Sequence, residues 1–199
     1  GVTVDADTAT GVVELSGAAT VNAANATKVN LSGDVDATKA VVINAAKATT
    51  INVGSNTDGG TAYDNAAVTG AITINAAAAT SVKAAVSGGA TIVAKDGVTV
   101  TAVDDSGVSI TTSLVGTTTT KGAISITGTA GTTDTATISA AGIQVLTNTN
   151  VDELTLSGNG AAATYEVSSG AASKYTVSGD QAVTISASAA NLSAKTVTG

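Results

Sequence analysis

The stretch SNTDGGTAYDN, residues 55–65, sets Asn56, Asp58 and Asp64 around two consecutive glycines. Hard divalent cations take several oxygen ligands at once. One amide oxygen, two carboxylates and the carbonyls freed by Gly59 and Gly60 supply such a set, so Asn56, Asp58 and Asp64 are candidate calcium ligands. A solvated acidic turn accounts for the same residues. A second acidic turn, AVDDSG, carries Asp104 and Asp105. Adjacent carboxylates at a strand end point to opposite sides, which makes this pair a poor chelate.

Other chemistries lack their parts. The 199 residues include no His, no Cys and no Arg, which removes Ser-His and Cys-His nucleophile–base pairs and the usual zinc ligands. Glycosidases and lyases built on β-helices need convergent carboxylates, usually with basic partners and an aromatic platform for the sugar. Aromatic residues are 2 % of this chain. The expectation is a protein that is not an enzyme.

Charge narrows the partners. The formal net charge is −7, and the 8 basic residues are all Lys and scattered. No basic patch exists to neutralise phosphates, so nucleic acid is not an expected partner. No run of about 20 apolar residues is present to cross a bilayer, and no polybasic segment to hold anionic lipid. Asn25, Asn30 and Asn191 begin N-x-S/T sequons, matches that arise by chance in a chain so rich in Asn, Ser and Thr.

The elements that would position these residues are short strands. Phe, Trp, Met, Cys and Pro are absent, yet the hydrophobic fraction is 43 % against 12 % charged, which is an ordered composition rather than a disordered one. Alternating runs recur along the whole chain, among them KVNLS, AVVIN, TINV, AITIN, TIVA, VSITT, AISITG, ELTLSG and KYTVSG, and predict an all-β protein. Wider gaps near 55–70 and 112–122 read as loops. The Ala-rich pieces at 18–28 and 75–86 favour helix by propensity, but neither has a stripe of large apolar residues at helical spacing, so both read as strands meeting at crowded corners.

Core volume separates the possible β architectures. A sandwich fills a gap of about 10 Å with large side chains, whereas a solenoid stacks Val, Ile, Ala and Thr in ladders inside a thin tube. Hairpin dipeptides are also scarce: Asn-Gly occurs only as Asn159-Gly160, and Asp-Gly at 58–59 and 96–97. The expected fold is an elongated β-solenoid, parallel β-helix-like, with stacked β-sandwich modules as the alternative. Residues 1–199 form a single elongated repeat-rich segment that begins and ends inside the pattern, as an excerpt of a longer polypeptide would. The expected inward residues are Leu15, Leu31, Ile43, Ile74, Ile92, Val100, Ile110, Ile126, Ile138, Leu156, Val167, Val177 and Ile185.

Two polar patterns could also stack. Asn44 and Asn75 each follow the last Ile of a strand and could share one ladder, or simply end strands at a turn. Flat Thr arrays on a solenoid bind ice where the same T-x-T recurs on successive rungs. The Thr-rich stretches VTVT (98–101) and TTTT (117–120) suggest such an array, but Thr spacing drifts along the chain, so Thr reads as an ordinary strand-surface residue.

The C-terminal third, and YTVSGDQAVTI at 175–185 above all, resembles the Thr/Ala/Val-rich repeats of bacterial surface-layer proteins and related type I-secreted, calcium-binding adhesins. About 50 residues carry that resemblance well. It implies an extracellular, cell-surface protein that takes up calcium and self-assembles into a lattice or fibre, with cell-surface polysaccharide as a further partner. An adhesin stalk or binding module is the alternative it implies. No tandem GGxGxDxUx nonapeptide is present, so the resemblance places no calcium-roll ladder within this segment.

Overall fold

The computed structural model describes residues 2–5, 12–14, 18–32, 40–54, 70–103, 107–131, 133–169 and 172–199. The strands run in chain order as β1 (Val2–Asp5), β2 (Val12–Glu14), β3 (Ala19–Asn22), β4 (Lys28–Ser32), β5 (Ala40–Asn44) and β6 (Thr50–Val53). There follow β7 (Ala71–Ala76), β8 (Ser81–Ala85), β9 (Ala90–Ala94), β10 (Val98–Val103), β11 (Val108–Gly116) and β12 (Gly122–Gly128). The last are β13 (Thr135–Thr149), β14 (Glu153–Ser169), β15 (Lys174–Ser178), β16 (Val183–Ala187) and β17 (Thr196–Thr198), with one short helix, α1 (Ala189–Leu192), before β17.

Pairing skips a strand each time. Strand β1 pairs with β3, β3 with β5, β5 with β7, β7 with β9 and β9 with β11. A second ladder joins β2, β4, β6, β8, β10 and β12. Every pairing among the described residues is parallel, so each coil gives one strand to each of two faces, and the chain is a β-solenoid. The long strands β13 and β14 serve both faces: β13 meets β11 with its first half and β12 with its second. Strand β14 lies along β13, then hands its first half to β15 and its second to β16. The sandwich alternative would need antiparallel pairs and is set aside.

The core is two facing stacks of inward side chains. On the first face Val21, Ile43, Ile74, Ile92, Ile110, Ile138 and Leu156 occupy successive rungs in register, all buried. On the second, Val29, Ile51, Val82, Val98, Ile124, Leu146 and Val167 do the same. Burying one such side chain fully is worth about 1.5–3 kcal/mol, and in a solenoid nearly all of it comes from the rungs directly above and below.

Small residues are required where the coil turns. The segments NAANAT (22–27), NAAKAT (44–49) and NAAAAT (75–80) stack as one corner. In each, the second and fifth residues are buried alanines: Ala23 and Ala26, Ala45 and Ala48, Ala76 and Ala79. A turn hydrogen bond closes each corner, from Ala26 N to Ala23 O at 3.1 Å, Ala48 N to Ala45 O at 3.0 Å and Ala79 N to Ala76 O at 2.8 Å. The next coil continues the corner with Lys95, Asp96 and Gly97, where φ is +63° and a Cβ would collide with the Thr80 carbonyl oxygen, so only glycine fits. The Ala-rich pieces are strands and corners, as their spacing predicts.

Ten of the expected core residues, from Leu31 to Val167, are buried. Leu15 lies outside the described residues. Val177 and Ile185 are only half-buried, a correction with a plain cause. Strand β17 pairs no further than Thr176, and β16 pairs with β14 alone, so these side chains have a covering rung on one side only. The loop expected at 112–122 is shorter too, because β11 continues to Gly116.

Candidate functional site

Stacking rungs in register turns each outward position into a row, and the rows are where this chain could act. The first is an amide ladder at the corner. Asn44 Nδ2 donates to Asn22 Oδ1 at 2.9 Å, and Asn75 Nδ2 donates to Asn44 Oδ1 at 2.9 Å. The expected sharing of a ladder by Asn44 and Asn75 therefore holds, and Asn22 extends it. On the other face Asn52 Nδ2 donates to Asn30 Oδ1 at 2.8 Å, with both residues buried. An amide has a donor and an acceptor at opposite sides of one plane, which lets identical residues pair rung after rung.

The second row is hydroxylic. Outward Thr73 pairs with Thr91, Thr91 with Ser109, Ser109 with Thr137 and Thr137 with Thr155. The row continues to Thr176 and Thr198 at one end and through Val42 to Thr20 at the other. The expectation that Thr drifts between coils is overturned. Coil lengths do differ, as the steps of 22 residues from Asn22 to Asn44 and 31 from Asn44 to Asn75 record. The extra residues fall between paired strands in the sequence, so sequence spacing drifts while the register does not.

The stretches that first drew attention are elsewhere. Thr99 and Thr101 of VTVT stand on the opposite ladder. The TTTT run forms a bend outside the rungs, with Thr117 N donating to Thr120 O at 2.7 Å and Thr120 N to Thr117 Oγ1 at 3.0 Å.

The described ionisable groups mostly pair or hold turns. Lys121 meets Glu166 at 2.6 Å across the intervening rung of β13, and Lys174 meets Glu153 at 3.3 Å on the adjacent rung, both pairs part-exposed. Asp96 Oδ1 accepts from Ala123 N at 2.8 Å. Asp134 is fully buried, and its Oδ2 accepts from Thr129 N at 2.7 Å, which fixes the turn after β12. Inside the tube, Tyr165 Oη lies 2.7 Å from Ser157 O and 3.2 Å from Ile138 O, and burial pushes the phenol well above its ordinary value of 10.0. Tyr175 is raised for the same reason, and its hydroxyl has no hydrogen-bond partner among the described residues.

Asn56, Asp58 and Asp64 lie outside the described residues, as do Asp104 and Asp105. Among the described residues no three metal-ligating side chains converge, and no helix is long and apolar enough to cross a membrane. Comparison with family models, with curated proteins and with solved structures returned no match to this chain. The hydroxyl row was hidden from sequence reading because its members are not evenly spaced. The signal that could have found it is the corner motif N-A-A-x-A-T, which marks the coil period independently of loop length.

Proposed function

We propose that this chain is a structural segment of an extracellular bacterial surface protein, a rod that self-associates into a lattice on the cell. The observation that carries this reading is the pair of parallel ladders maintained through coils of unequal length. That construction makes a stiff body whose length grows by adding coils and whose flanks repeat, which suits weak contacts multiplied by periodic assembly. The segment itself does no chemistry and serves as scaffold.

The charge of −7 makes neighbouring rods repel. Calcium bridging carboxylates between neighbours offsets that repulsion and sets the condition for assembly, with cell-surface polysaccharide as a further anchor. Removing calcium from the purified protein and returning it, with electron microscopy at each step, is expected to give dispersed rods and then ordered arrays. A protein that stays monomeric at high concentration with calcium, yet binds a host glycan or protein saturably, is instead the stalk or binding module of an adhesin.

A further inference from the structure

The face built from β3, β5, β7, β9, β11, β13, β14, β15 and β17 carries two adjacent outward rows. One is the hydroxyl row containing Thr73, Thr91, Ser109 and Thr137. The other runs two residues further along each strand and contains the paired Asn22, Asn44 and Asn75, then Val93, Thr111 and Ser139. From β3 onward neither row holds a charged residue, in a chain whose net charge is −7, and Asp5 of β1 ends the second row beside Asn22. Beside the first row, Glu153 and Lys174 pair with each other at 3.3 Å. Exposure is substantial, with Thr91, Ser109 and Thr137 all exposed.

We infer that this face binds the surface of crystalline water. Parallel pairing fixes neighbouring side chains of a row about 4.8 Å apart and the two rows about 6.6–6.8 Å apart, a rectangular net. Thr has a restricted χ1, so each one holds its hydroxyl and its methyl at set positions instead of sampling many. An array already rigid loses little entropy when it templates water or meets an ice plane whose oxygens form a net of comparable spacing. Ionic partners find no charge to hold on these rows from β3 onward. Among the described residues a sugar lattice finds no aromatic platform, because Tyr165 and Tyr175 are both buried. The inference is independent of surface assembly, since it needs one face of one rod.

The test is ice affinity. The fluorescently labelled chain is mixed with a growing ice hemisphere, and thermal hysteresis is read in parallel. The intact chain is expected to coat the ice and shape its crystals. A Thr91→Lys, Thr137→Lys double variant is expected to lose both effects, while Thr99→Lys on the opposite ladder, in the row that already holds Lys83, keeps them. Circular dichroism checks that each variant is folded, and Thr91→Val with Thr137→Val serves as a second pair that keeps the methyls and removes the hydroxyls. Exclusion of the folded intact chain from ice overturns the inference, as does undiminished binding by the folded Lys pair. Binding to crystalline polysaccharide without binding to ice overturns it in favour of a sugar lattice.

Discussion

Tyr165 and Tyr175 fill the same tube and differ in one respect that can be measured. The Tyr165 hydroxyl reaches two carbonyl oxygens, while that of Tyr175 reaches none. Tyr165→Phe is expected to cost about 1–2 kcal/mol in denaturant titration, the worth of a buried hydrogen bond and an orphaned acceptor. Tyr175→Phe is expected to leave stability unchanged or raise it, since it deletes a desolvated group with no partner. Burial also sets an alkaline limit. Below the ordinary phenol value of 10.0 both folded and unfolded chains keep these protons, so the tyrosines add no pH dependence. Above it the unfolded chain releases protons that the folded chain retains, and stability falls as pH rises. Unfolding curves taken on either side of that value should show the fall, and Tyr165→Phe should reduce it.

At the scale of the element, a strand is as secure as the rungs that cover it. Ile92→Asp puts an unpaired charge between β7 and β11 and is expected to cost about 3–5 kcal/mol or to prevent folding. Val177→Asp, half-buried beyond the last residue paired with β17, should cost much less by the same denaturation measurement. Comparable losses at the two sites would mean that coverage by neighbouring rungs is not what protects the core. Strands of this kind were largely legible in the sequence, because alternation is local: AVVIN, AITIN and ELTLSG all form where they read. Register was not legible, because the number of residues between paired strands differs from coil to coil, and the partner of each strand is set by the neighbouring coil. Hence Asn44 and Asn75 could be matched by their identical flanks, whereas Thr91 and Thr137 could not. The four-residue α1 was missed for a related reason, its start being fixed only by Ser188, whose side chain accepts from Asn191 N. Asn56, Asp58 and Asp64 remain a reading from residue type alone.

For the molecule as a whole, a stack with contacts only between neighbours has no single centre. Stability is close to a sum of rung interfaces, so opening starts where interfaces are fewest. Strand β17 is exposed throughout and β16 is at best half-buried, whereas β7 and β9 alternate fully buried and outward positions. Amide hydrogen exchange should run fastest in β16, α1 and β17 and slowest from β7 to the first half of β13. Uniform protection along the chain would show that the rod melts as one unit and would contradict the additive picture.

The direction of the ladder bonds has a mechanical side. Backbone hydrogen bonds in a sheet run across the strands, and here the strands lie across the rod, so those bonds point along its axis. A pull on the two ends therefore loads them in series and in tension, and the coils let go one after another instead of shearing together. Asn22 and Asn44 are 22 residues apart in the chain yet on adjacent rungs, so freeing that coil pays out roughly 70 Å of contour where about 4.8 Å was held. Stiff at rest, the rod yields under load by lengthening in steps.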